Sequence, residues 1–519
     1  MKINIIGAGV AGLSAGCYLQ MNGFETEIFE KHSHAGGLCT SWKRGDYTFD
    51  GCINWLLGSN PSNPFYLLWS ELIDMSSIEF KTHEIRMDIE VKDSFDRYGN
   101  KVFHLYTNLD RLSAYLIDLA PEDSVIIKKL IRSMRKMQGY EIPPMIQSVP
   151  GLLPFHQKIK FIKHLPLLFF LMRWKKQTNF SYARKLKNPF LKEAFQLLFD
   201  GDEIPLIIIT LPLAFNDKMG VGYPVGGSLN FVRKIEERYL DLGGKISYNS
   251  EVDEIITKNG HATGIVLTGG TRIPSAITVS AADWYYTLFT ALKGKYTNKK
   301  ILQLKEEQKL TVFYSVFLLS LGISGSLKEM PRMQRFPLER ELLSPDGTRY
   351  SRMEMHCHNY DPTLAPEGKC VVTIKFYSSN GDYWIGLRNS DPEEYKRQKL
   401  RFGEEIIAIL EEKFKGIRDT IEETDIATPA TYQRYTNNWK GSTQGWLPGK
   451  NLLASSPMNF ILPGLQDFYL AGHWTQPGGG LPVAIKSART VSQMICYNLH
   501  KPFIINESPR SKLRDILVD

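Results

Sequence analysis

"INIIGAGVAGLSAGCYLQMNGFETEIFEK", residues 3–31, is the stretch on which the fold turns. Ile3, Ile5 and Ile6 form a short apolar run without charge, as in a strand buried on both faces. Gly7-Ala8-Gly9-Val10-Ala11-Gly12 makes a tight turn. From Leu13 to Met21 apolar residues recur at helical spacing, and Gly23 suits the end of that helix. "ETEIFE" predicts a second strand with Glu30 at its carboxyl end. Strand, glycine turn, helix, strand and acid together form a dinucleotide-binding unit. Gly7 permits the turn. Gly9 lets backbone approach a pyrophosphate seated at the helix start beside Val10 and Ala11, and Gly12 lets helix and strand pack closely. Glu30 is placed to accept hydrogen bonds from a ribose.

The next segment, "EKHSHAGGLCTSWKRGDYTFDGCINWLLG" (residues 30–58), narrows the choice of dinucleotide. A second glycine pair, Gly36-Gly37, follows Glu30 closely. A nicotinamide-only dehydrogenase has no evident need for it, whereas an FAD has a diphosphate and ribityl chain that run further along the protein. Two more glycine-bearing segments lie far downstream. "YPVGGSLNFVRKIEERYLDLGGKISYNSEVDEIITKNGHATGIVLTGGTRIPSAITVSAAD" spans residues 223–283, and "LPGLQDFYLAGHWTQPGGGLPVAIKSAR" spans 462–489. The second reads as a strand, a glycine turn and a helix starting near Leu481-Pro482.

These segments resemble the family of FAD-dependent desaturases, isomerases and saturases that includes bacterial phytoene desaturase, plant carotenoid isomerase and retinol saturase. The matching residues are Lys31 after the acid, Gly36-Gly37-Leu38, Gly45 to Gly51 with Phe49-Asp50, the YPVGG block at Tyr223, and the closing motif from Leu462. Leu38 stands where the family commonly has arginine, and His473 follows Gly472 where the family often has aspartate. The resemblance implies that the Val252 backbone meets the adenine, and that Gly472, His473, Gly479, Gly480, Leu481 and Ala484 hold the flavin end. Trp55 is expected near the flavin face. The implied activity is an FAD-dependent oxidoreductase acting on C–C or C=C bonds of a lipophilic polyene or isoprenoid, such as a carotenoid or retinoid, by desaturation or saturation. A non-redox flavin-dependent cis-trans isomerase and an amine oxidase-like flavoenzyme are the alternatives.

Size and composition agree. At 519 residues the chain can bury a large core and should hold more than one domain. A hydrophobic fraction of 43% and a charged fraction of 23% are ordinary for a soluble globular protein. Cysteines 17, 39, 52, 357, 370 and 496 are scattered without a CxxC, which excludes a disulfide scaffold and a zinc motif and points to a reducing cytoplasm. A strand beginning at residue 3 leaves no place for a cleaved leader, so none is expected. A net charge of +8 is modest for this size and no nucleic-acid motif is present, so no nucleic-acid partner is expected. From Lys128 to Lys192 basic residues recur with a single acid, Glu141, and apolar residues lie between them. That pattern suits either peripheral contact with the inner face of an anionic membrane through residues 143–176 or a helical cap with a solvated basic face.

The expected fold class is α/β (α+β). A discontinuous Rossmann-like FAD-binding domain of the glutathione reductase-type βαβ kind joins a mixed-sheet substrate domain and a helical lid. The segments are 1–75, 221–285 and 431–505 for the FAD domain, 76–125 and 286–430 for the substrate domain, 126–220 for the lid and 506–519 for a tail. "TVFYSVFLLSLGI" and "GKCVVTIKFYSS" predict strands, and "DPEEYKRQKLRFGEEIIAILEEKF" predicts a long amphipathic helix. No second GxGxxG in a strand–helix context occurs, so electrons must pass through the same flavin pocket to an acceptor the sequence does not name. Tyr223 and His473 are the candidates able to move protons; His473 reads better as a hydrogen-bond partner of the ribityl chain. Trp474 is expected to shape or stack at the flavin face. Asp200, Asp202 and Glu203 read as a solvated acidic loop. His356 and His358 share one strand face and read as structural, with no metal expected. Arg434, Trp439 and Trp446 read equally as pocket wall or core.

Overall fold

The structure, a computed structural model, describes residues 1–138, 174, 177–199, 203–217, 220–308, 310–325, 327–447 and 459–505. Three distant parts of the chain meet in one five-stranded parallel sheet, in the order Lys245–Ser247, Glu25–Phe29, Lys2–Ile6, Ile277–Ser280 and Phe468–Leu470. The helix Val10–Met21 crosses from the first strand to the second. The sequence suggested an amphipathic helix, but this one is buried on nearly every side, because the helices Gly227–Asp241 and Gly480–Asn498 flank it. Two glycines make that crowding possible. A Cβ at Gly12 would stand 1.9 Å from the Gly7 carbonyl oxygen, and one at Gly16 would stand 2.6 Å from the Tyr239 ring. Tyr239 in turn donates its hydroxyl to the Thr26 carbonyl at 3.0 Å, tying its helix to the strand Glu25–Phe29.

A second sheet has seven strands, in the order Ile421–Ala427, Ser315–Ile323, Cys370–Ser378, Arg349–Cys357, Met333–Leu343, Ile85–Glu90 and Val102–Tyr106. It is antiparallel except where Met333–Leu343 meets Ile85–Glu90. Strand alternation divides its residues between two unlike faces. Phe317, Leu319, Met353, Met355, Ile374 and Phe376 form one face and pack under Trp384, Phe402, Ile406 and Leu410 of the helices Gly381–Ser390 and Pro392–Lys413. The long helix starts where predicted, with the Asp391 side chain accepting from the Glu394 N–H at 2.9 Å and Pro392 in its first turn.

A separate helical cluster covers the strands Ile85–Glu90 and Val102–Tyr106. Ile127, Leu130, Ile131 and Met134 of the helix Ser124–Gln138 join Leu112 and Leu116 of Leu109–Leu119 and residues of the helices Pro189–Gln196 and Ile207–Asn216. The basic residues Lys128, Lys129 and Arg132 occupy the remaining faces of Ser124–Gln138. The candidate membrane segment 143–176 lies outside the described residues except for Trp174, which is buried. Among the described residues no helix is long and apolar enough to cross a membrane.

Replacing Gly12 with alanine should cost about 3 kcal/mol, because its Cβ would overlap a backbone oxygen fixed by two neighbouring strands. Urea unfolding should report the loss as a lower midpoint. An unchanged midpoint would contradict this packing.

A candidate dinucleotide site continuous with a side-chain-lined cavity

A cavity of about 440 Å³ opens where the parallel sheet faces the second sheet. Its first wall is the amino-terminal turn. Gly7, Gly9, Val10 and Ala11 line it, while Gly12 lies behind them and serves packing. The Glu30 carboxylate, 6% exposed, accepts from the Ala8 N–H at 2.6 Å and the His32 N–H at 2.8 Å. Burial raises its pKa above the ordinary carboxylate range, against the lowering pull of those two donors. Glu30 therefore holds the turn closed from within, a role its spacing does not disclose, and its carboxylate still lines the cavity. Lys31 lies 3.2 Å from Glu251 and 2.5 Å from the Asn437 amide oxygen, so it clamps the turn to two remote segments.

The second glycine pair docks on the first. The Gly36 N–H donates to the Ala8 carbonyl at 3.0 Å, and Gly36, Gly37 and Leu38 all line the cavity. The Phe49-Asp50 motif and the YPVGG block, joined by a contact across 178 positions of the chain, have one joint explanation in space. Asp50 accepts from the Ser228 N–H and hydroxyl, each at 2.6 Å, and from the Cys52 N–H at 3.0 Å. It caps the helix Gly227–Asp241 from outside, and a Cβ at Gly227 would stand 2.5 Å from its Oδ2. Asp50 is a clasp between the two motifs.

The far wall comes from the carboxyl-terminal motif. Gly472, His473, Trp474, Gly479, Gly480, Leu481 and Ala484 line the cavity. The Gly472 N–H donates to the Ser487 hydroxyl at 2.7 Å. His473 Nε2 is shielded from solvent with no hydrogen-bond partner among the described residues, and burial pushes the ring down to about 4. The imidazole is therefore neutral at neutral pH and presents an unsatisfied nitrogen. Val252 also lines the cavity, although its carbonyl already accepts from the Tyr286 hydroxyl.

Two features fit a dinucleotide here. The helices Val10–Met21 and Gly480–Asn498 both begin at the cavity with glycine N-caps and no side-chain cap, whereas Asn63, Asn108 and Asn188 cap their helices with side chains. Uncapped N–H groups at a helix start suit phosphate and other electron-rich groups. At Gly9 the backbone is extended (φ −70°), and an added Cβ would meet nothing nearer than the Gly36 oxygen at 3.9 Å. The protein's own packing does not demand glycine there; a ligand lying against the turn would.

Other expected residues fall elsewhere. Tyr223 is fully buried and meets the Tyr360 ring edge-on at 5.1 Å, away from the cavity wall. Trp439 stacks on Tyr285, and Trp446 packs between Trp284 and Trp474 while donating to the Trp474 carbonyl at 3.1 Å, so both belong to core rather than wall. Arg434 lies over the Tyr435 ring outside the cavity. His356 contacts Glu354 at 2.8 Å, and His358 contacts Thr373 at 3.3 Å and Tyr360 at 3.2 Å. Glu203 accepts from the Thr178 hydroxyl at 2.8 Å rather than standing in solvent; Asp200 and Asp202 lie outside the described residues.

The sequence reading missed one whole wall. Trp55 was expected there, but Asn54 beside it was not, and neither were Val316, Lys375 and Tyr377 of the second sheet. It also missed Asp283, a buried carboxylate pushed up to about 7 by burial, which accepts from the Tyr286 and Trp439 N–H groups. Only its place at the end of the 223–283 block hinted at a role.

Gly9→Ala should leave the stability of the cofactor-free chain within about 1 kcal/mol of the parent and remove adenine-dinucleotide binding. Calorimetry and dinucleotide titration on the same preparation check both halves. Retained affinity would contradict the placement of a ligand against this turn.

Residues 5–72 match the model of the NAD(P)-binding Rossmann-like domain. A prolycopene isomerase from an Oncidium hybrid is 25% identical over 92% of this chain and 80% of its own. A 4,4'-diapophytoene desaturase from Methylomonas is 24% identical over 95% and 94%, and a neurosporene-forming phytoene desaturase from Rhodobacter capsulatus is 25% identical over 95% and 93%. Among solved structures, an oxidoreductase from Methanosarcina mazei shares the fold with TM-score 0.57 at 18% identity, covering 94% of this chain and 99% of its own. Cyclohexylamine oxidase from Brevibacterium oxydans shares it with TM-score 0.54 at 14% identity, over 96% and 99%. The likeness to phytoene desaturases and prolycopene isomerases thus runs along nearly the whole chain, and the Rossmann-like sheet at its start lies inside it.

Proposed function

We propose that this protein is an FAD-dependent oxidoreductase that desaturates or saturates carbon–carbon bonds of a lipophilic polyene or isoprenoid. The observation that carries the reading is a single cavity with two unlike walls. One is glycine backbone and two uncapped helix starts; the other is side chains of the second sheet. FAD, when bound, supplies two-electron hydride exchange with carbon. The chain's residues divide the remaining tasks. Glu30 would offer its carboxylate to ribose hydroxyls, and the N–H groups at Val10 and Ala11 would hold the pyrophosphate. The start of Gly480–Asn498 sets a positive dipole end where negative charge gathers. Neutral His473 accepts or donates one hydrogen bond at Nε2 without adding charge. Trp55, Tyr377 and Tyr432 line the same cavity and would keep water from the substrate side.

Likeness to desaturases and to prolycopene isomerases at equal identity supports a second reading, a flavin-dependent cis-trans isomerase without net redox change. Delivery of such a substrate from an anionic membrane surface, read from the composition of residues 143–176, fits either one.

The purified protein should be yellow or take up FAD on addition. Mass spectrometry of lipids from a polyene-producing host should show the gain or loss of two hydrogens per bond when the chain is expressed. A change of retention time at constant mass would favour the isomerase, and failure to bind flavin would defeat both.

A further inference from the structure

One face of the second sheet carries a charged row whose end, Lys375, reaches the cavity. Cross-strand pairing sets Arg335 beside Glu354 and Glu354 beside Lys375 on one face. The Glu354 carboxylate is already engaged by Arg335 and by His356. Lys375, 9% exposed, lines the cavity and makes no ion pair among the described residues. Its one hydrogen-bond contact there is a long 3.4 Å approach to the Asn54 amide oxygen. Asp50, the other nearby acid, spends both oxygens on Ser228 and Cys52. Behind the wall, Arg332 donates to the Asn54 carbonyl and the Arg86 guanidinium sits 4.8 Å from the Trp55 ring centroid. Neither arginine makes an ion pair among the described residues. Three cations thus converge on the Asn54–Trp55 stretch; Glu354 and Asp50 act on them from a distance, but among the described residues no carboxylate stands within ion-pair reach of any of the three.

A buried cation without a direct partner is costly, and a hydrocarbon substrate would leave the Lys375 ammonium with only the long Asn54 contact and the more distant Glu354 and Asp50. The dinucleotide features lie on the glycine turns, while Lys375 stands on the second sheet two residues from Tyr377, which pairs with Val316 in an apolar cluster that includes Tyr432; all four line the cavity. A ligand suited to this end has an apolar body and one anionic terminus. We propose that Lys375, assisted by the Asn54 amide, forms a carboxylate subsite, and that the substrate is an isoprenoid or polyene carboxylic acid rather than a pure hydrocarbon. This rests on the oxidoreductase reading above and narrows it. Lys375 binds and orients; no covalent step is assigned to it.

Matched probes test the subsite without turnover. All-trans-retinoate and all-trans-retinol share a polyene body and differ in the charged end. Equilibrium dialysis of each against the flavin-loaded full chain should show retinoate bound at least about 10-fold more tightly. Lys375→Met should weaken retinoate roughly 30-fold and leave retinol unchanged, and Lys375→Arg should restore part of the preference. Flavin content and melting temperature of each variant confirm folding. Equal affinity for the two probes, or equal loss of both in Lys375→Met, overturns the subsite while leaving the lipophilic-substrate reading standing. An altered flavin spectrum with undiminished retinoate binding also overturns it, by assigning Lys375 to the cofactor. Failure of the loaded parent protein to bind either probe overturns the lipophilic-substrate reading and the subsite with it.

Discussion

The Gly7 carbonyl occupies the space where a side chain on residue 12 would begin, and this contact sets the geometry of everything around it. It lets the first helix leave the sheet at the angle that brings its N–H groups to the cavity. Glu30 then secures the turn by accepting from Ala8 and His32. A buried carboxylate is tolerated only when well supplied with donors, and the turn provides them. The same short-range order recurs on a larger scale. Gly36 bonds to Ala8, Lys31 reaches Glu251 and Asn437, and Asp50 caps a helix that begins at residue 227. Each of these contacts joins segments more than twenty residues apart, so the cavity is a product of long-range closure.

The two walls of the cavity differ in kind. On the nucleotide side the surface is mostly backbone, with glycine at the points of approach and helix starts left without caps. Backbone donors recognise phosphate and sugar without regard to the rest of a ligand. On the opposite side the surface is made of side chains from antiparallel strands, whose alternation separates an apolar face under two helices from a face toward the cavity that mixes Val316 with Lys375 and Tyr377. Chemistry that varies from one protein to another belongs on the second surface. The charged row Arg335–Glu354–Lys375 belongs to that second sheet, with Lys375 at the cavity.

The sequence by itself determined whatever rests on local periodicity and residue size. The first strand and helix, the turn glycines, the acid at position 30, the strands Ser315–Ile323 and Cys370–Ser378, and the helix Pro392–Lys413 were all legible, because glycine spacing, apolar alternation and capping act within a few residues. Only the tertiary structure decided which side chains face one another. Tyr223 and Trp446 have the chemistry of a pocket wall yet are held in core, with Trp439 partly buried against it, while Lys375 and Asn54, unremarked in the linear order, meet at the cavity. Asp50 and Ser228 carry no mutual signal across the chain, although each explains the other's motif. Such pairs depend on the register of strands and the docking of helices, quantities fixed by the packing of the whole molecule rather than by any stretch of it.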